Sequence, residues 1–410
     1  MSKGKITVDS LKDAIAQRLA GWAKSRVIRD YEEFCDTKPA RKALLSYLVL
    51  PLLPPPALRD RVKFSNRGIA QEIPRVLNEL GYSVDIVNFD NRSWLPDRQY
   101  DLFIGHGGIN FESISKSLPE RTVRIYLATG IYWRELNNRV QQRTADLASR
   151  RGVVISSYRT VEYEEDYAVR NSDGIICLGN RSAIETYFHH PKVIGLNNAI
   201  FPFDWEGWRE KNFEKGRKHF LFFSGRGNVL KGLDLLLEAF VRTDLHLHIC
   251  QHVEPEFADA YRREFTECSN IHVYGFVPMR SPKFYSLANK CNWIISPTCS
   301  EGQPGSVLEC MAHGMIPILP KETNIDIGEW GIPLSDCRID TLRSTVISVC
   351  GMDTDSIRKM TTEVVVVTKQ LYSVENFRRN VREAIAEIEE STRKINFQNL
   401  KYHSSKGESR

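Results

Sequence analysis

The sequence predicts two successive α/β units, each built on a parallel sheet, with the two sheets facing a central cleft. Three observations carry this. The chain has 410 residues, too many for one hydrophobic core. Short apolar runs alternate with stretches of helical period, as strands covered by helices on both faces do. The alternation fades near residue 200, passes a charged stretch, and then restarts.

The elements follow in order. Residues 9–33 read as one amphipathic helix, because Leu11, Ile15, Leu19 and Trp22 fall at helical spacing and Ser10 with Asp13 resembles a capping box. This segment, 1–35, is expected to dock on the body of the protein or to lie on a membrane. Apolar runs at 43–50, 83–89, 100–105, 123–127, 153–156 and 174–178 read as strands, with a helix at 68–80. The polar, charged stretch 212–218 is the expected linker. Strands are then predicted at 220–224, 245–250, 271–275, 291–296 and 316–319, and helices at 232–241, 255–266 and 306–313. The expected units are Rossmann-like domains at 36–205 and 206–373. A C-terminal helix, 374–390, is expected to return to the first domain, and 391–410 to form a mobile basic tail.

Composition narrows the function. With 42% hydrophobic and 26% charged residues the chain is globular rather than disordered. A net charge of +5, without a basic stripe carrying interleaved aromatics, argues against nucleic acid. The nine cysteines form no CxxC pair and several sit in apolar runs, as buried thiols of a reducing compartment do. The longest apolar run, 43–58, is broken by prolines and is shorter than the about 20 residues of a membrane span. The N-terminus has no apolar leader core. A cytoplasmic protein is expected, with peripheral contact at the inner membrane face as an option.

Two segments carry chemistry. In 223–232 (FSGRGNVLKG), a strand runs into a turn at Gly225 and then a helix. Arg226 and Lys231 are thereby placed at the carboxyl edge of a parallel sheet beside a helix N-terminus, an arrangement suited to a diphosphate. The plain alternative is a turn with two solvated cations. In 296–317 (SPTCSEGQPGSVLECMAHGMIP), Glu301 stands on a loop and Glu309 on the following helix. Gly302 and Gly305 allow close backbone approach. The two carboxylates suit two parts of one hydroxyl-rich ligand; the plain alternative is that Glu309 caps its helix and Glu301 is solvated.

Together these segments resemble the donor half of retaining glycosyltransferases of family 4, the glycogen-synthase-like or group 1 transferases. The matching positions are Gly225, Arg226, Lys231 and Gly232, then Glu301, Gly302, Pro304, Leu308, Glu309, Met311, Ala312, Gly314 and Pro317. The resemblance implies a GT-B fold with the acceptor domain first and the donor domain second. It implies that Arg226 and Lys231 hold the donor diphosphate and offset its developing charge. Glu301 would contact the transferred sugar and Glu309 the ribose, with Gly225 and Gly302 close by. Gly305, Ser306 and Val307 would offer N–H groups to phosphate.

The first half resembles the family more loosely. The loop 64–68 (FSNRG) keeps only Gly68, and 197–203 (NNAIFPF) resembles the segment leading into the linker. Where the family often has a histidine, after the strand 123–127, this chain has Ala128 and Thr129; His106 stands one strand earlier. Gly68, His106 and Thr129 are therefore the candidates for the acceptor or sugar side. No metal or cofactor is expected: His246, His248 and His252 lack evident partners, and Asp353 with Asp355 reads as a helix cap. Arg121, Arg124, Arg134, Arg139, Arg143, Arg150 and Arg151 read as a solvated helix face that could also meet a lipid-linked phosphate.

The expected activity is sugar transfer from a nucleotide diphosphate sugar, with UDP- or GDP-sugar as donor. The acceptor is expected to be a hydroxyl of a glycan or lipid-linked glycan in surface polysaccharide synthesis. Alternatives are a non-catalytic nucleotide-sugar-binding protein and a nucleotide-sugar epimerase on the same fold.

Overall fold

The computed structural model describes residues 21–59, 65–156 and 159–407, apart from residue 23. Leu11, Ile15 and Leu19 of the expected N-terminal helix lie outside the described residues.

The apolar runs of the first half form a seven-stranded sheet. Its strands are β1 (Val27–Tyr31), β2 (Arg41–Tyr47), β3 (Tyr82–Asn88), β4 (Leu102–His106), β5 (Val123–Ala128), β6 (Gly174–Leu178) and β7 (Val193–Leu196). They lie in the order β1-β3-β2-β4-β5-β6-β7. All pair in parallel except β1, which runs antiparallel to β3. The second half forms a six-stranded, wholly parallel sheet. Its strands are β8 (His219–Phe223), β9 (His246–Cys250), β10 (Ile271–Val273), β11 (Trp293–Ile295), β12 (Ile316–Pro320) and β13 (Ile332–Leu334), in the order β10-β9-β8-β11-β12-β13. The chain reverses its direction of winding between β8 and β11, the place where doubly wound sheets open a crevice for ligands. In the first sheet the reversal falls between β2 and β4, so His106, the last residue of β4, stands at the corresponding edge.

Several expectations are corrected. Residues 27–31 are a strand, not the end of a helix. Val27 and Ile28, stiff β-branched residues, pair with Val87 and Ile86 on the sheet edge. Asp30 there has φ 48° and its N–H is bonded to Asp85 at 2.8 Å. Residues 153–156 form no strand: they cross to the second unit, where Ile155 packs in its core and Val154 is exposed. The stretch 212–218 is not a loose linker. Phe213 and Lys211 are buried, and the Lys211 ammonium donates to the carbonyls of Cys291 (2.6 Å) and Gly314 (2.8 Å). The short strands β7 and β13 have no counterpart in the sequence-based assignment. The last helix, Val374–Gly407, runs through most of the expected tail, supported by the i,i+4 pair of Glu390 with Lys394 at 2.7 Å.

Two helices join the units. Val374–Gly407 buries Phe377, Val381, Ala384, Ile385 and Ile388 in the core of the first sheet. Trp133–Arg151 starts beside β5 and places Leu147 in the core of the second unit. Part of the arginine row is therefore no solvated face, although Arg121 and Arg134 remain exposed. Arg124 donates to the carbonyls of Ser115, Leu118 and Pro119. Arg143 donates to the Pro297 carbonyl, Arg150 pairs with buried Asp234 at 2.7 Å, and Arg151 pairs with Glu264 at 2.8 Å, each crossing to the second unit.

Candidate functional site

Strand β8 ends at Phe223 and the chain turns through Gly225, Arg226 and Gly227 into the short helix Asn228–Lys231. Gly227 has φ 95°, a conformation open to glycine. The expectation that this helix start receives a phosphate is corrected. The N–H groups of Gly227 (3.0 Å) and Asn228 (3.3 Å) are bonded to the Glu254 carboxylate, which caps the turn. Gly232 follows with φ 79°, and a Cβ there would lie 2.4 Å from the Pro297 carbonyl oxygen. That contact holds the turn against the loop after β11, where the Cys299 N–H and the Thr298 hydroxyl both reach the Leu230 carbonyl. The result is that Lys231, 6% exposed, meets the carboxylate of Glu301 in an ion pair.

The loop carrying Glu301 is pressed against the first unit. A Cβ on Gly302 would lie 2.3 Å from the Thr129 carbonyl oxygen, so the glycine permits a close contact between the units. Gln303, buried with φ 46°, fixes the join. Its Oε1 accepts from the Asn198 N–H at 2.7 Å, and its Nε2 donates to Asn197 at 2.8 Å.

Between the units lies a cavity of ≈ 320 Å³. From the second unit come Lys231, Ser300, Glu301 and Gly302; from the first come His106, Thr129, Arg159, Tyr163, Glu165 and Tyr187. Five residues singled out in the sequence thus share one cavity: His106, Thr129, Lys231, Glu301 and Gly302. Its electrostatics are unusual. Burial, and then the Arg159 guanidinium, push the Lys231 ammonium down to about 7, while the Glu301 carboxylate against it favours the charged form. Burial pushes the Glu165 carboxyl up to about 7. His106 is lowered by burial, and its Nδ1 bonds the Leu127 carbonyl at 2.9 Å, which sets the tautomer with Nε2 as acceptor.

The other predicted residues are placed elsewhere. Gly225 and Arg226 are exposed, and among the described residues Arg226 has no ion-pair partner. Gly305, Ser306 and Val307 begin the helix Gly305–Ala312, and the Val307 N–H is bonded to the Pro304 carbonyl at 3.0 Å. Val307 therefore has no N–H to offer. Glu309, 4% exposed, is held by Arg280. Gly68 packs beneath Phe201, whose ring a Cβ would meet at 2.2 Å, so it permits close packing rather than phosphate approach. A larger cavity of ≈ 420 Å³, lined by Phe188 and Lys321 among others, takes none of the residues expected at the donor or sugar site but includes Arg134 and Arg139 of the arginine row.

Arg159, Tyr163, Glu165 and Arg280 were not singled out in the sequence. Their segments carry no motif, and the acidic run 162–166 reads as ordinary surface. Among the described residues no group of His, Cys, Asp and Glu is arranged to hold a metal ion. His246 and His248 instead stack with His219 and His272, and Asp353 caps its helix through the Ser356 N–H at 2.8 Å.

Residues 204–325 match the family model of glycosyl transferases group 1. No curated protein matches the chain in sequence. Its fold is similar to that of sucrose-phosphate synthase (tll1590) from Thermosynechococcus elongatus, with TM-score 0.57 and 11% identity over 89% of this chain and 100% of that one. It is similar to Anabaena Alr3699/HepE in complex with UDP and glucose, with TM-score 0.54 and 12% identity over 85% of this chain and 100% of that one. A mutant S. aureus TarM in complex with Fondaparinux, alpha-GlcNAc-glycerol and UDP gives TM-score 0.50 and 12% identity over 70% of this chain. The chain spans about half the length of the TarM structures it matches, 54% and 55%.

The fold is GT-B. In GT-B terms the cavity lies between the two domains, and the matched segment supplies Lys231 and Glu301 to it. Among the described residues no helix is long and apolar enough to cross a membrane.

Proposed function

We propose that this protein is a retaining glycosyltransferase of family 4 that moves a sugar from a nucleotide diphosphate sugar to a hydroxyl acceptor. The observation that carries the reading is the buried Lys231–Glu301 pair facing His106 and Thr129 across one cavity. A sugar diphosphate has a polyhydroxylated end and a dianionic end, and this wall offers an acceptor beside a cation. Lys231, with Arg226 and Arg159 nearer solvent, would stabilise charge growing on the leaving diphosphate as the glycosidic bond breaks. Glu301, oriented by its ion pair, would accept from hydroxyls of the transferred sugar. Attack by the acceptor on the face the nucleotide leaves gives retention without a pair of glycosidase carboxylates.

A UDP-sugar is favoured over a GDP-sugar, because solved structures of the same fold hold UDP. The acceptor is proposed to be a glycan or lipid-linked glycan of a surface polysaccharide, reached by a protein working in the cytoplasm or at the inner membrane face. The domains proposed are 36–205 for acceptor, to which the edge strand β1 (Val27–Tyr31) is added, and 206–373 for donor, with 374–390 returning to the first.

Two observations favour a second reading, a non-catalytic nucleotide-sugar-binding protein: Ala128 and Thr129 stand where the family often has a histidine, and Gly68 packs against Phe201. Incubation with UDP-glucose, UDP-N-acetylglucosamine and GDP-mannose, with and without polysaccharide acceptors, separates the two. Release of nucleoside diphosphate and an NMR-defined product anomer matching the donor supports the transferase. Tight donor binding with no turnover on any acceptor supports the second reading.

A further inference from the structure

Glu165 stands next to Asp166 at the start of the helix Asp166–Asn171, yet the two carboxyls have opposite surroundings. Asp166 accepts from the Tyr132 hydroxyl (2.5 Å), Trp133 Nε1 (2.8 Å) and Arg134 (2.5 Å), and is held well below the usual carboxylate range by Arg134. Glu165, 8% exposed, has no cationic partner among the described residues; the Tyr126 hydroxyl and the Trp133 backbone N–H are its polar neighbours, and its buried Oε2 still lacks a hydrogen bond of ordinary geometry. Its backbone is fixed: a Cβ on Gly108 would lie 1.9 Å from the Glu164 carbonyl oxygen. The side chain lines the cavity that also holds Lys231 and Glu301. A buried carboxyl oxygen left short of hydrogen bonds is costly and is kept where something else satisfies it.

We propose that Glu165 is a specificity-determining residue whose carboxyl binds hydroxyl groups of the transferred sugar from the wall opposite Lys231 and Glu301. This rests on the glycosyltransferase reading of the cavity and adds a residue from the first domain to it. A carboxylic acid both donates and accepts, which matches two neighbouring hydroxyls of a sugar ring. Burial keeps Glu165 protonated up to about 7. The titratable groups around it are Tyr126, Tyr187, Cys177, Tyr163 and Asp166. The same cavity is lined by His106 and Arg159 of the first unit and by Lys231 and Glu301 of the second. The tyrosines and the cysteine are all raised by burial and stay neutral near pH 7.

The test compares UDP with UDP-glucose, and GDP with GDP-mannose, by calorimetric titration of the wild type, Glu165→Gln and Glu165→Leu at pH 6.0 and 8.5. Nucleotide alone should bind all three proteins equally. The gain from the sugar should fall about tenfold in Glu165→Leu and be largely kept in Glu165→Gln, whose amide also donates and accepts. In the wild type that gain should shrink at pH 8.5, where Glu165 ionises, and in Glu165→Gln it should not. If Glu165→Leu does not fold, the pH comparison with Glu165→Gln decides alone. An unchanged sugar gain in Glu165→Leu, or the same pH response in wild type and Glu165→Gln, overturns the inference while leaving the donor site standing. Absence of all nucleotide binding in the wild type overturns the cavity reading itself, and the inference with it.

Discussion

Arg280 grips both carboxylate oxygens of Glu309, with Nη2 at 2.7 Å from Oε1 and Nε at 3.1 Å from Oε2. The same guanidinium donates to the carbonyls of Phe201 (2.7 Å) and Pro202 (3.1 Å) on the segment that leads out of the first domain. Glu309 therefore ties the helix Gly305–Ala312 to the connection between the domains. Each oxygen has one bond from Arg280, so lone pairs remain for a ribose hydroxyl.

This pair predicts a stability effect separable from any effect on donor. Glu309→Ala leaves a half-buried guanidinium without its carboxylate and should cost about 3 kcal/mol in urea unfolding. The Arg280→Ala, Glu309→Ala double variant should lose less than the two single losses combined, by about 1 kcal/mol or more. Strict additivity would mean the clamp contributes no coupling.

Gly302 predicts a steric effect on the domain contact. An alanine methyl there would collide with the Thr129 carbonyl at 2.3 Å and Gly130 Cα at 2.6 Å, both backbone atoms that cannot rotate away. Gly302→Ala should lower stability by about 1–3 kcal/mol. It should also speed proteolysis at the domain junction. Wild-type thermal stability and cleavage rate in this variant would show that the two loops part without cost.

The stacked histidines predict a pH effect. Burial, and then His272 and His219, hold His248 neutral in the fold down to about 3, whereas an unfolded histidine titrates near 6.5. The unfolded state then binds the extra proton, so this contribution is present above about pH 6.5 and is lost as pH falls from there toward about 3. Between pH 6.5 and 5 the loss should be about 2 kcal/mol. His248→Gln should remove that part of the slope in urea midpoints measured against pH. Identical slopes in the two proteins would place the acid sensitivity elsewhere.

Much of the fold was legible because its strands are buried on both faces and stand out as apolar runs; β3, buried at all seven positions, is one. The Lys231 and Glu301 segments were legible because glycines at fixed turns bring them together, as Gly232 against Pro297 shows. What was not legible depends on partners distant in sequence. Val27 and Ile28 became a strand only by pairing with Val87 and Ile86. Arg150 and Arg151 looked solvated until Asp234 and Glu264 of the other domain reached them. Glu165 sits in an acidic run whose burial comes from aromatic residues such as Tyr126 and Tyr187, some 20–40 positions away.

The most direct test of the donor site is calorimetric titration of UDP, with GDP, ADP and dTDP in parallel, into the wild type and a folded Lys231→Ala variant. One nucleoside diphosphate, UDP first, should bind the wild type, and Lys231→Ala should weaken it at least about tenfold, since a buried cation on a diphosphate is lost. If none of the four binds the wild type, or if Lys231→Ala binds as tightly, the cavity between the domains is not a nucleotide-sugar site.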